Sequence, residues 1–402
     1  MSEAACRRYV VTEPPALDFD PFLLASLREW PIFRIQLPFG EGVAWLVTRY
    51  DDVVRVVSDP RFSRARAGVG SFPRTTKHNI SRPGTLTMLD PPEHTRLRAV
   101  VNPLFSRQAM DRLRPVAQDL LDRLLEDLLT AGPPADLVRQ VISPFTLHVS
   151  GELIGVPTAD RERIREWSRR ALMRSTDDAG AHNGRQASQA MSDYFRTLVS
   201  GERVHPGDST VLGALLAAVN RGGIDEDELA ETVTGLQINA WNILRNNFSN
   251  FLYVLLTHEE LWAHLRSAPQ LLPQAVEELL RWTPSRYGIG RPRLATDDVE
   301  IGGVTIRKDE YVCHSYMTAN RDEDAYPDAG RIDFTRQGPP QLAFGHGPHY
   351  CPGAPLSRME ADILLGTLLR RLPRLRLAHP AHQVRWQPGT IFRGPEELTV
   401  TW

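Results

Sequence analysis

The sequence contains little cysteine, almost no lysine and no long apolar run. Its three cysteines, Cys6, Cys313 and Cys351, are too few and too scattered for a disulfide framework, so a reducing cytoplasm is the expected compartment. A cysteine with a special role would then be a metal ligand or a nucleophile. Only Lys77 and Lys308 are lysines, and arginine therefore supplies nearly all of the positive charge.

The chain also lacks the features of proteins that bind membranes or nucleic acids. It has no stretch of about 20 uninterrupted apolar residues, and its N-terminal segment has no apolar core long enough for a signal peptide. Lys+Arg total 47 and Asp+Glu total 49, which gives a formal net charge of −2. Nucleic-acid and membrane-surface binders usually have a strong basic excess, so we expect neither kind of partner.

Hydrophobic periodicity predicts a mainly α protein with small β-sheets. Apolar residues at spacings of three and four indicate helices through most of residues 91–220, followed by one long helix at about residues 225–257. Residues 353–372 have a similar helical pattern, whereas residues 293–312 alternate around a Gly-Gly turn and predict a β-hairpin. The polar Gly/Pro/Ser-rich loop at residues 64–88 is long enough to predict a lid.

The most informative segment runs from Phe344 to Gly353 and reads FGHGPHYCPG. Its first two glycines permit a tight turn and a close approach to a flat ligand. Cys351 lies at the start of a predicted helix, whose N-terminus stabilises a thiolate and lowers its pKa. The alternatives are a buried inert cysteine and a zinc site of His346, His349 and Cys351, which lacks a fourth ligand at normal spacing.

This segment resembles the haem-binding loop of the cytochrome P450 family, whose pattern is Phe-Gly-x-Gly-x-His-x-Cys-x-Gly. The matching positions are Phe344, Gly345, Gly347, His349, Cys351 and Gly353. The resemblance implies that Cys351 is the axial thiolate ligand of haem iron, a ligand that favours O–O cleavage. It also implies that His349 holds a haem propionate.

Two further motifs support the resemblance. Glu278 and Arg281 match the family's Glu-x-x-Arg motif, and their spacing allows a salt bridge on one face of a helix predicted at residues 269–282. A surface ion pair is the simpler interpretation of that spacing. The resemblance instead implies a structural role around the haem loop, completed by a third arginine, either Arg331 or Arg336.

His94, Arg98 and Arg293 match the family's donors to the haem propionates, although a basic surface turn is an alternative for the first two. The motifs extend over nearly the whole chain. The resemblance therefore implies the cytochrome P450 fold, a triangular single haem domain over residues 1–402 with a long central helix.

The predicted central helix departs from the family pattern. The family normally has a small residue pair there, followed by an acid and a threonine that deliver protons for oxygen activation. Alignment places Asn239 and Ala240 at the small pair, Asn242 at the acid and Ile243 at the threonine. An amide cannot supply a proton as a carboxylic acid does, and isoleucine has no hydroxyl group. Residues 234–257 contain no Asp or Glu, so a shifted alignment does not restore the pair.

Two activities are compatible with this altered region. The enzyme either hydroxylates with protons from water or substrate, or abstracts hydrogen and couples radicals through a C–C or C–N bond without inserting oxygen. We favour coupling, as part of secondary metabolism. Residues 277–281, 292–296 and 351–353, with Trp402, resemble the actinobacterial branch that oxidises cyclodipeptides (diketopiperazines). This finer resemblance implies an aromatic, tryptophan-containing cyclodipeptide as substrate.

Five residues are candidate substrate contacts. Asn239, Trp241, Asn242 and Arg245 would offer polar contacts to a diketopiperazine ring, and Phe392 would stack on an indole or a phenol. Packing inside the protein, around ordered water for the asparagines and in the core for Phe392, is an equally open interpretation.

The resemblance also implies cofactors and partners. These are haem b (iron protoporphyrin IX), dioxygen and electrons from NAD(P)H that arrive through a ferredoxin and a ferredoxin reductase. We expect a monomer with a small-molecule substrate. The arginines Arg96, Arg107, Arg112 and Arg114 form either a basic docking face for the ferredoxin or an ordinary solvated face. Alternative functions are a conventional monooxygenase that hydroxylates a small natural product, a non-catalytic haem-thiolate sensor and a peroxide-driven enzyme.

Overall fold

Helices dominate the computed structural model, which describes residues 6–78, 84–201, 205 and 209–402. They are α1 (Pro21–Glu29), α2 (Tyr50–Ser58), α3 (Arg64–Ala67), α4 (Glu93–Val101), α5 (Arg107–Ala131), α6 (Ser143–Ile154), α7 (Arg161–Ala171), α8 (Asp178–Ser200), α9 (Val211–Asn220), α10 (Glu226–Thr257), α11 (Glu259–Ser267), α12 (Leu272–Trp282), α13 (Tyr316–Ala319) and α14 (Ala354–Arg371). The mainly helical fold class is confirmed. Residues 79–83 of the predicted lid lie outside the described residues.

The strands form three small sheets. They are β1 (Arg7–Arg8), β2 (Ile32–Gln36), β3 (Ala44–Val47), β4 (Phe62–Ser63), β5 (Ala135–Asp136), β6 (Arg293–Ala295), β7 (Val299–Ile301), β8 (Val304–Ile306), β9 (Tyr311–His314), β10 (Arg376–Leu377) and β11 (Thr399–Thr401). One sheet has the order β1-β2-β3-β9-β6-β4, a second has the order β10-β11-β5, and β7 pairs with β8. Strand β5 interrupts the region that the periodicity predicted as helical.

The hairpin predicted at residues 293–312 is confirmed at its tip. The two ends of this segment differ from a simple hairpin, because they belong to a larger sheet. Gly302 and Gly303, both with positive φ, join β7 to β8. The outer parts of the same stretch, β6 and β9, pair with each other inside the six-stranded sheet. This pairing holds Arg293 near Arg64 and His349, two residues of the cavity described below.

The long central helix is confirmed as α10, which has 32 residues. The Asp225 side chain accepts a hydrogen bond from the Glu228 backbone amide, and the Glu228 side chain accepts one from the Asp225 backbone amide. This capping box fixes the start of the helix. Most of its length is buried, including the polar residues near its middle. Since α10 packs against α6, α7 and α8, it forms the central support of the helical layer.

The polar middle of α10 holds the C-terminal turn, residues 391–397. Buried side chains donate hydrogen bonds from the helix to backbone carbonyls of the turn. These bonds run from Asn246 to Phe392 (3.3 Å), from Asn250 to Arg393 (3.0 Å) and from Arg245 to Glu396 (2.9 Å). The unusual asparagines therefore fix the position of the turn that presents Phe392. The largest hydrophobic cluster contains residues from Leu17 to Val400, and the single haem domain over residues 1–402 stays a prediction.

Candidate active site

The loop around Cys351 is a tight turn that only glycine permits at two positions. Gly345 and Gly347 have φ angles of +76° and +71°, in the left-handed region. A Cβ atom on Gly347 would lie 2.9 Å from the Val57 carbonyl oxygen of α2. The Cys351 amide donates to the Phe344 carbonyl oxygen over 2.9 Å, so the loop closes just before α14 and places the sulfur there.

The pKa of the Cys351 thiol differs from the sequence-based expectation. Burial raises this pKa, and the amides of Gly353 and Ala354 together with the charge of Arg98 offset the burial only in part. The amides at the helix N-terminus lower this pKa as predicted, but burial outweighs them in the protein chain alone, so the net shift is opposite to the expectation. A coordinating cation reverses the balance, because metal binding deprotonates a thiol outright.

A cavity of about 350 Å³ separates the Cys351 loop from α10. Phe344, Cys351 and Gly353 line one side, and Asn239, Ala240 and Ile243 of α10 line another, together with Phe392 of the C-terminal turn. None of the described residues that line this main cavity is acidic. An apolar cavity with few polar groups and one thiol is suited to a flat cofactor and an organic substrate.

Five basic side chains converge beside the main cavity. Arg64, His94, Arg98 and His349 line it, and the rings of His94 and His349 are 4.2 Å apart between centroids. Arg293 is buried, and its Nε and Nη2 atoms have no hydrogen-bond partner among the described residues. Burial, with the charges of Arg98 and Arg64, lowers the pKa of His94 to about 4. Burial and Arg64 lower the pKa of Arg293 to about 9. A ligand with two carboxylates would satisfy this group.

The Glu278 network supports the loop from behind. Arg281 Nε lies 2.7 Å from Glu278 Oε2, and Arg336 Nε lies 3.1 Å from Glu278 Oε1. Arg281 also donates to the Arg331 carbonyl oxygen over 3.0 Å. The third arginine is therefore Arg336, and Arg331 contributes only its backbone. The side chains of Arg281 and Glu278 are 2% and 5% exposed, so the alternative of a surface ion pair is wrong.

The altered positions of α10 divide between two faces of the helix. Asn239, Ala240 and Ile243 line the main cavity, and the Asn239 side chain donates to the Gly235 carbonyl oxygen over 2.7 Å. Asn242 points elsewhere, since its Oδ1 atom accepts from the Asn246 side chain over 3.1 Å. At the aligned positions that face the main cavity, α10 thus presents an amide, a methyl group and an apolar side chain, and Thr232 and Asn247 line the same cavity elsewhere on the helix.

Three of the five predicted substrate contacts do not line the main cavity, and those predictions are corrected. Trp241 Nε1 donates to the Ser143 carbonyl oxygen over 3.3 Å. Asn242 pairs with a neighbour on α10, and Arg245 binds the C-terminal turn. Asn239 and Phe392 do line it. The 3.6-residue helical period could have excluded Trp241 and Arg245 in the sequence, because positions 239 and 243 lie on one face and 241 and 245 lie away from it. Asn242 is three residues from Asn239, and only its contact with Asn246 shows that it points elsewhere.

Comparison with known proteins decides the family. Residues 212–383 match the sequence profile described as Cytochrome P450. A biflaviolin synthase of Streptomyces coelicolor is 44% identical over 397 residues, covering 98% of this chain and 96% of that protein. The chain belongs to the cytochrome P450 family. A nocardicin C N-oxygenase of Nocardia uniformis is 40% identical, with 100% of both chains covered. A crystal structure of a P450 with biaryl coupling reactivity superposes with a TM-score of 0.93 at 37% identity, over 99% of this chain and 100% of that one.

The chain is thus a bacterial P450 oxidoreductase of secondary metabolism, and its family binds haem through a thiolate and uses dioxygen. The residues present fit haem, because they offer one thiol at a cavity and orphaned buried donors for two carboxylates. Cys351 would bind the iron, and Arg98, Arg293, His94 and His349 would hold the propionates. When bound, haem supplies oxygen activation and redox chemistry.

Sequence reasoning missed three arginines near the cavity. Arg64 and Arg286 line the main cavity. Arg291 lies close to both, because their positive charges add to the effect of burial in lowering its pKa. No family motif contains them, and only the tertiary structure shows that they face inward. The zinc alternative for His346, His349 and Cys351 finds no support, because no group of three potential ligands in the described ranges is placed to hold a metal ion.

The predicted basic docking face is largely neutralised within the chain. Glu228 pairs with Arg96, Asp111 lies 3.9 Å from Arg107, and Asp362 lies 2.7 Å from Arg114. These contacts favour the interpretation of a solvated face, although bacterial P450s normally receive electrons from a ferredoxin and its reductase. None of the helices in the described part of the chain combines the length and apolar character that crossing a membrane requires.

Proposed function

We propose that this P450 couples aromatic molecules oxidatively, through a C–C or C–N bond, without inserting oxygen into the product. The observation that carries the proposal is the wall of α10 at the main cavity, where Ala240 and Ile243 stand and where no acid lines the described cavity. Hydroxylation relies on protons delivered by an acid and an alcohol, and the positions that alignment assigns to these two groups hold Asn242 and Ile243. A phenol O–H or an indole N–H of the substrate can itself provide hydrogen.

The proposed reaction balances in atoms and electrons. Two aryl C–H bonds break, or one C–H and one indole N–H, and one C–C or C–N bond forms. The two hydrogen atoms leave with dioxygen, two electrons and two protons as two molecules of water. The electrons come from NAD(P)H through a ferredoxin and its reductase. The chain's own residues orient the two rings and exclude water from the apolar cavity.

The comparisons support coupling and also indicate an alternative activity. The biflaviolin synthase and the P450 with biaryl coupling reactivity are relatives over nearly the whole chain. A mycinamicin IV hydroxylase/epoxidase of Micromonospora griseorubida, 40% identical over 92% of both chains, favours a conventional monooxygenase as the second candidate. The narrower proposal is a tryptophan-containing cyclodipeptide as substrate, with Phe392 as the ring that stacks on its indole.

An isotope experiment tests the proposal. The holoenzyme is supplied with a surrogate ferredoxin, a reductase, NADPH and ¹⁸O₂, and with tryptophan- and tyrosine-containing cyclodipeptides or with phenols and hydroxynaphthoquinones. Mass spectrometry should show products of twice the substrate mass less two hydrogens, or intramolecular products that have lost two hydrogens, all without ¹⁸O. Incorporation of ¹⁸O would overturn coupling in favour of hydroxylation. Conversion of the phenols but of no cyclodipeptide would reject the narrower substrate.

A further inference from the structure

A second, smaller chamber adjoins the main cavity, and its described lining contains no residue of the Cys351 loop. It holds about 80 Å³ and shares three lining residues with the main cavity, namely Asn239, Arg286 and Phe392. Arg291 lines only this outer chamber, and Cys351 lines only the main cavity. The two spaces therefore form one path from the reacting end to an outer end that carries positive charge.

The guanidinium groups of Arg286 and Arg291 form no ion pair with a carboxylate of the described residues. Arg286 Nε is buried without a hydrogen-bond partner among the described residues. Arg291 has only a 3.9 Å contact from Nη1 to the Met88 sulfur. The third arginine of the chamber, Arg74, differs because its guanidinium donates to the carbonyl oxygens of Phe72 and Lys77. Two cations at the outer end are thus left without a counter-charge.

Partly buried cations without a counter-charge are costly, and burial is the main reason for their lowered pKa values. Burial, with the charges of Arg64 and Arg286, lowers the pKa of Arg291 to about 9. Burial also lowers the pKa of Arg286. Proteins seldom bury a charge without a partner, because its lost hydration is not repaid. The haem propionates would have their own donors in His94, Arg98, Arg293 and His349, so we assign the missing counter-charge to another ligand.

An aromatic surface lies beside the cationic pair. The Arg286 guanidinium carbon is 5.9 Å from the centre of the Phe392 ring, and the backbones of these residues form an isolated antiparallel bridge. The hydrogen bond from Asn246 of α10 to the Phe392 carbonyl oxygen holds that ring in place. An aromatic ligand can therefore stack on Phe392 while its anionic oxygen meets Arg286.

We propose that Arg286 and Arg291 form an anion-binding site that takes a carboxylate or an ionised phenol or enol of the aromatic substrate. The inference rests on the proposed function only in taking the substrate to be aromatic. Anchoring the anionic oxygen in the outer chamber leaves the rest of the ring system to extend into the main cavity. The pair thereby selects anionic aromatic compounds over neutral ones of the same shape.

Binding to the ferric holoenzyme without reductant tests the site. Two ligand pairs differ only in charge: 2-naphthoate with 2-naphthamide, and ionised 2-hydroxy-1,4-naphthoquinone with its methyl ether. Dissociation constants come from calorimetry and from the haem absorption change. At least one anion should bind about 10- to 100-fold more tightly than its neutral partner. A preference for naphthoate assigns a carboxylate, and a preference for the hydroxynaphthoquinone assigns an ionised enol. Equal affinities within both pairs would overturn the proposal.

Variants connect the preference to the two arginines. Arg286→Gln and Arg291→Gln should each reduce anion affinity about tenfold or more and change the affinity of the neutral partner less than about twofold. Arg286→Lys should keep much of the preference, and the exposed control Arg66→Gln should keep all of it. Equal losses for both members of a pair would contradict the site. If Arg286→Gln fails to take up haem, Arg291→Gln and Arg286→Lys still decide the question.

No step of this experiment involves turnover, so its failure is distinct from that of the proposed function. Tight anion binding together with ¹⁸O-labelled products would reject coupling and keep the site. Unlabelled coupled products from an enzyme that binds anions and neutral partners equally would keep coupling and reject the site.

Discussion

The two sides of the cavity differ in how their polar groups are satisfied. On the cysteine side, the Cys351 loop is closed by a backbone hydrogen bond, and Glu278 is bound by Arg281 and Arg336. On the substrate side, around Arg286 and Phe392, two guanidinium groups remain without a partner in the described chain. The backbone of the Cys351 loop and the Glu278 network are thus satisfied within the protein, whereas Arg293 on the cysteine side and Arg286 on the substrate side keep buried donors that only a ligand would satisfy.

This difference shows how stability and recognition are divided in the molecule. A buried charge network that is fully paired keeps a loop rigid, and breaking it leaves an uncompensated charge. Unpaired buried donors lower stability in the empty protein and are retained where a ligand satisfies them. Substitutions on the cysteine side should therefore affect folding and haem binding, and those on the substrate side should affect selectivity.

The largest effect is expected at Cys351. Cys351→Ser should abolish activity and the absorption band of the reduced carbon monoxide complex that is diagnostic of thiolate ligation, because a serine hydroxyl does not replace the thiolate. Absorption spectroscopy of the purified protein checks this. The exposed Cys6→Ser is the control and should leave the spectrum unchanged. Retention of the thiolate band in Cys351→Ser would show that another residue binds the iron.

The next effect concerns two adjacent glutamates with different burial. Glu278→Gln should destabilise the fold by about 3–5 kcal/mol, since it leaves Arg281 and Arg336 buried with no counter-charge. Glu277 pairs with Arg358 while 41% exposed, so Glu277→Gln should cost about 1 kcal/mol or less. Denaturant unfolding of the two variants measures the difference. Equal losses would contradict the structural role of the Glu278 network.

A smaller, chemical effect is expected at Ile243. Ile243→Thr places a hydroxyl group on the cavity wall of α10 and should raise the ¹⁸O-labelled fraction of the product several-fold, because an alcohol can relay protons. Ile243→Val has the shape of threonine without the hydroxyl and is the matched control. Mass spectrometry of products formed under ¹⁸O₂ gives the two fractions. The same labelled fraction in both variants would mean that the lost hydroxyl does not control the outcome.

The smallest expected effect is on the pH dependence of folding stability, through His78 on the substrate side. His78 is buried, its Nδ1 atom lies 2.5 Å from Ser175 Oγ, and burial lowers its pKa. The unfolded chain therefore takes up a proton near pH 6.5 before the folded chain does, so stability is lost as pH falls below that value. The free energy of unfolding therefore falls with decreasing pH, and His78→Gln should reduce this dependence by up to about 1.4 kcal/mol per pH unit.

Unfolding curves between pH 7 and 5 measure the slope. The exposed His382→Gln is the control and should unfold with the slope of the unmodified protein. An unchanged slope in His78→Gln would mean that His78 titrates alike in the folded and unfolded chain.

The cysteine side was largely predictable from the sequence. Its chemistry depends on local backbone turns and on fixed spacings, as in the Cys351 loop and the pair Glu278 and Arg281, and these are visible along the chain. The choice between Arg331 and Arg336 was not predictable from the sequence, because it depends on how a long loop folds back on α12. The sign of the Cys351 pKa shift was wrong because burial, which the sequence does not show, outweighs the helix N-terminus.

The substrate side was predicted poorly for a related reason. Arg286 and Arg291 carry no motif, and their significance is that nothing in the described chain pairs with them, which only the folded structure reveals. Trp241 and Arg245 were misassigned because their polar atoms bind distant backbone carbonyls in place of a ligand. Local patterns thus indicate the cofactor, whereas tertiary contacts determine the substrate.

The most direct test of coupling is the oxygen content of the product. Purified holoenzyme turns over its tightest-binding aromatic substrate under ¹⁸O₂, and high-resolution mass spectrometry measures the label in the product. The account predicts coupled products that have lost two hydrogens and carry no ¹⁸O. One ¹⁸O atom in the main product would contradict it and make this enzyme a hydroxylase that obtains its protons without the acid and the threonine that the family normally has on this helix.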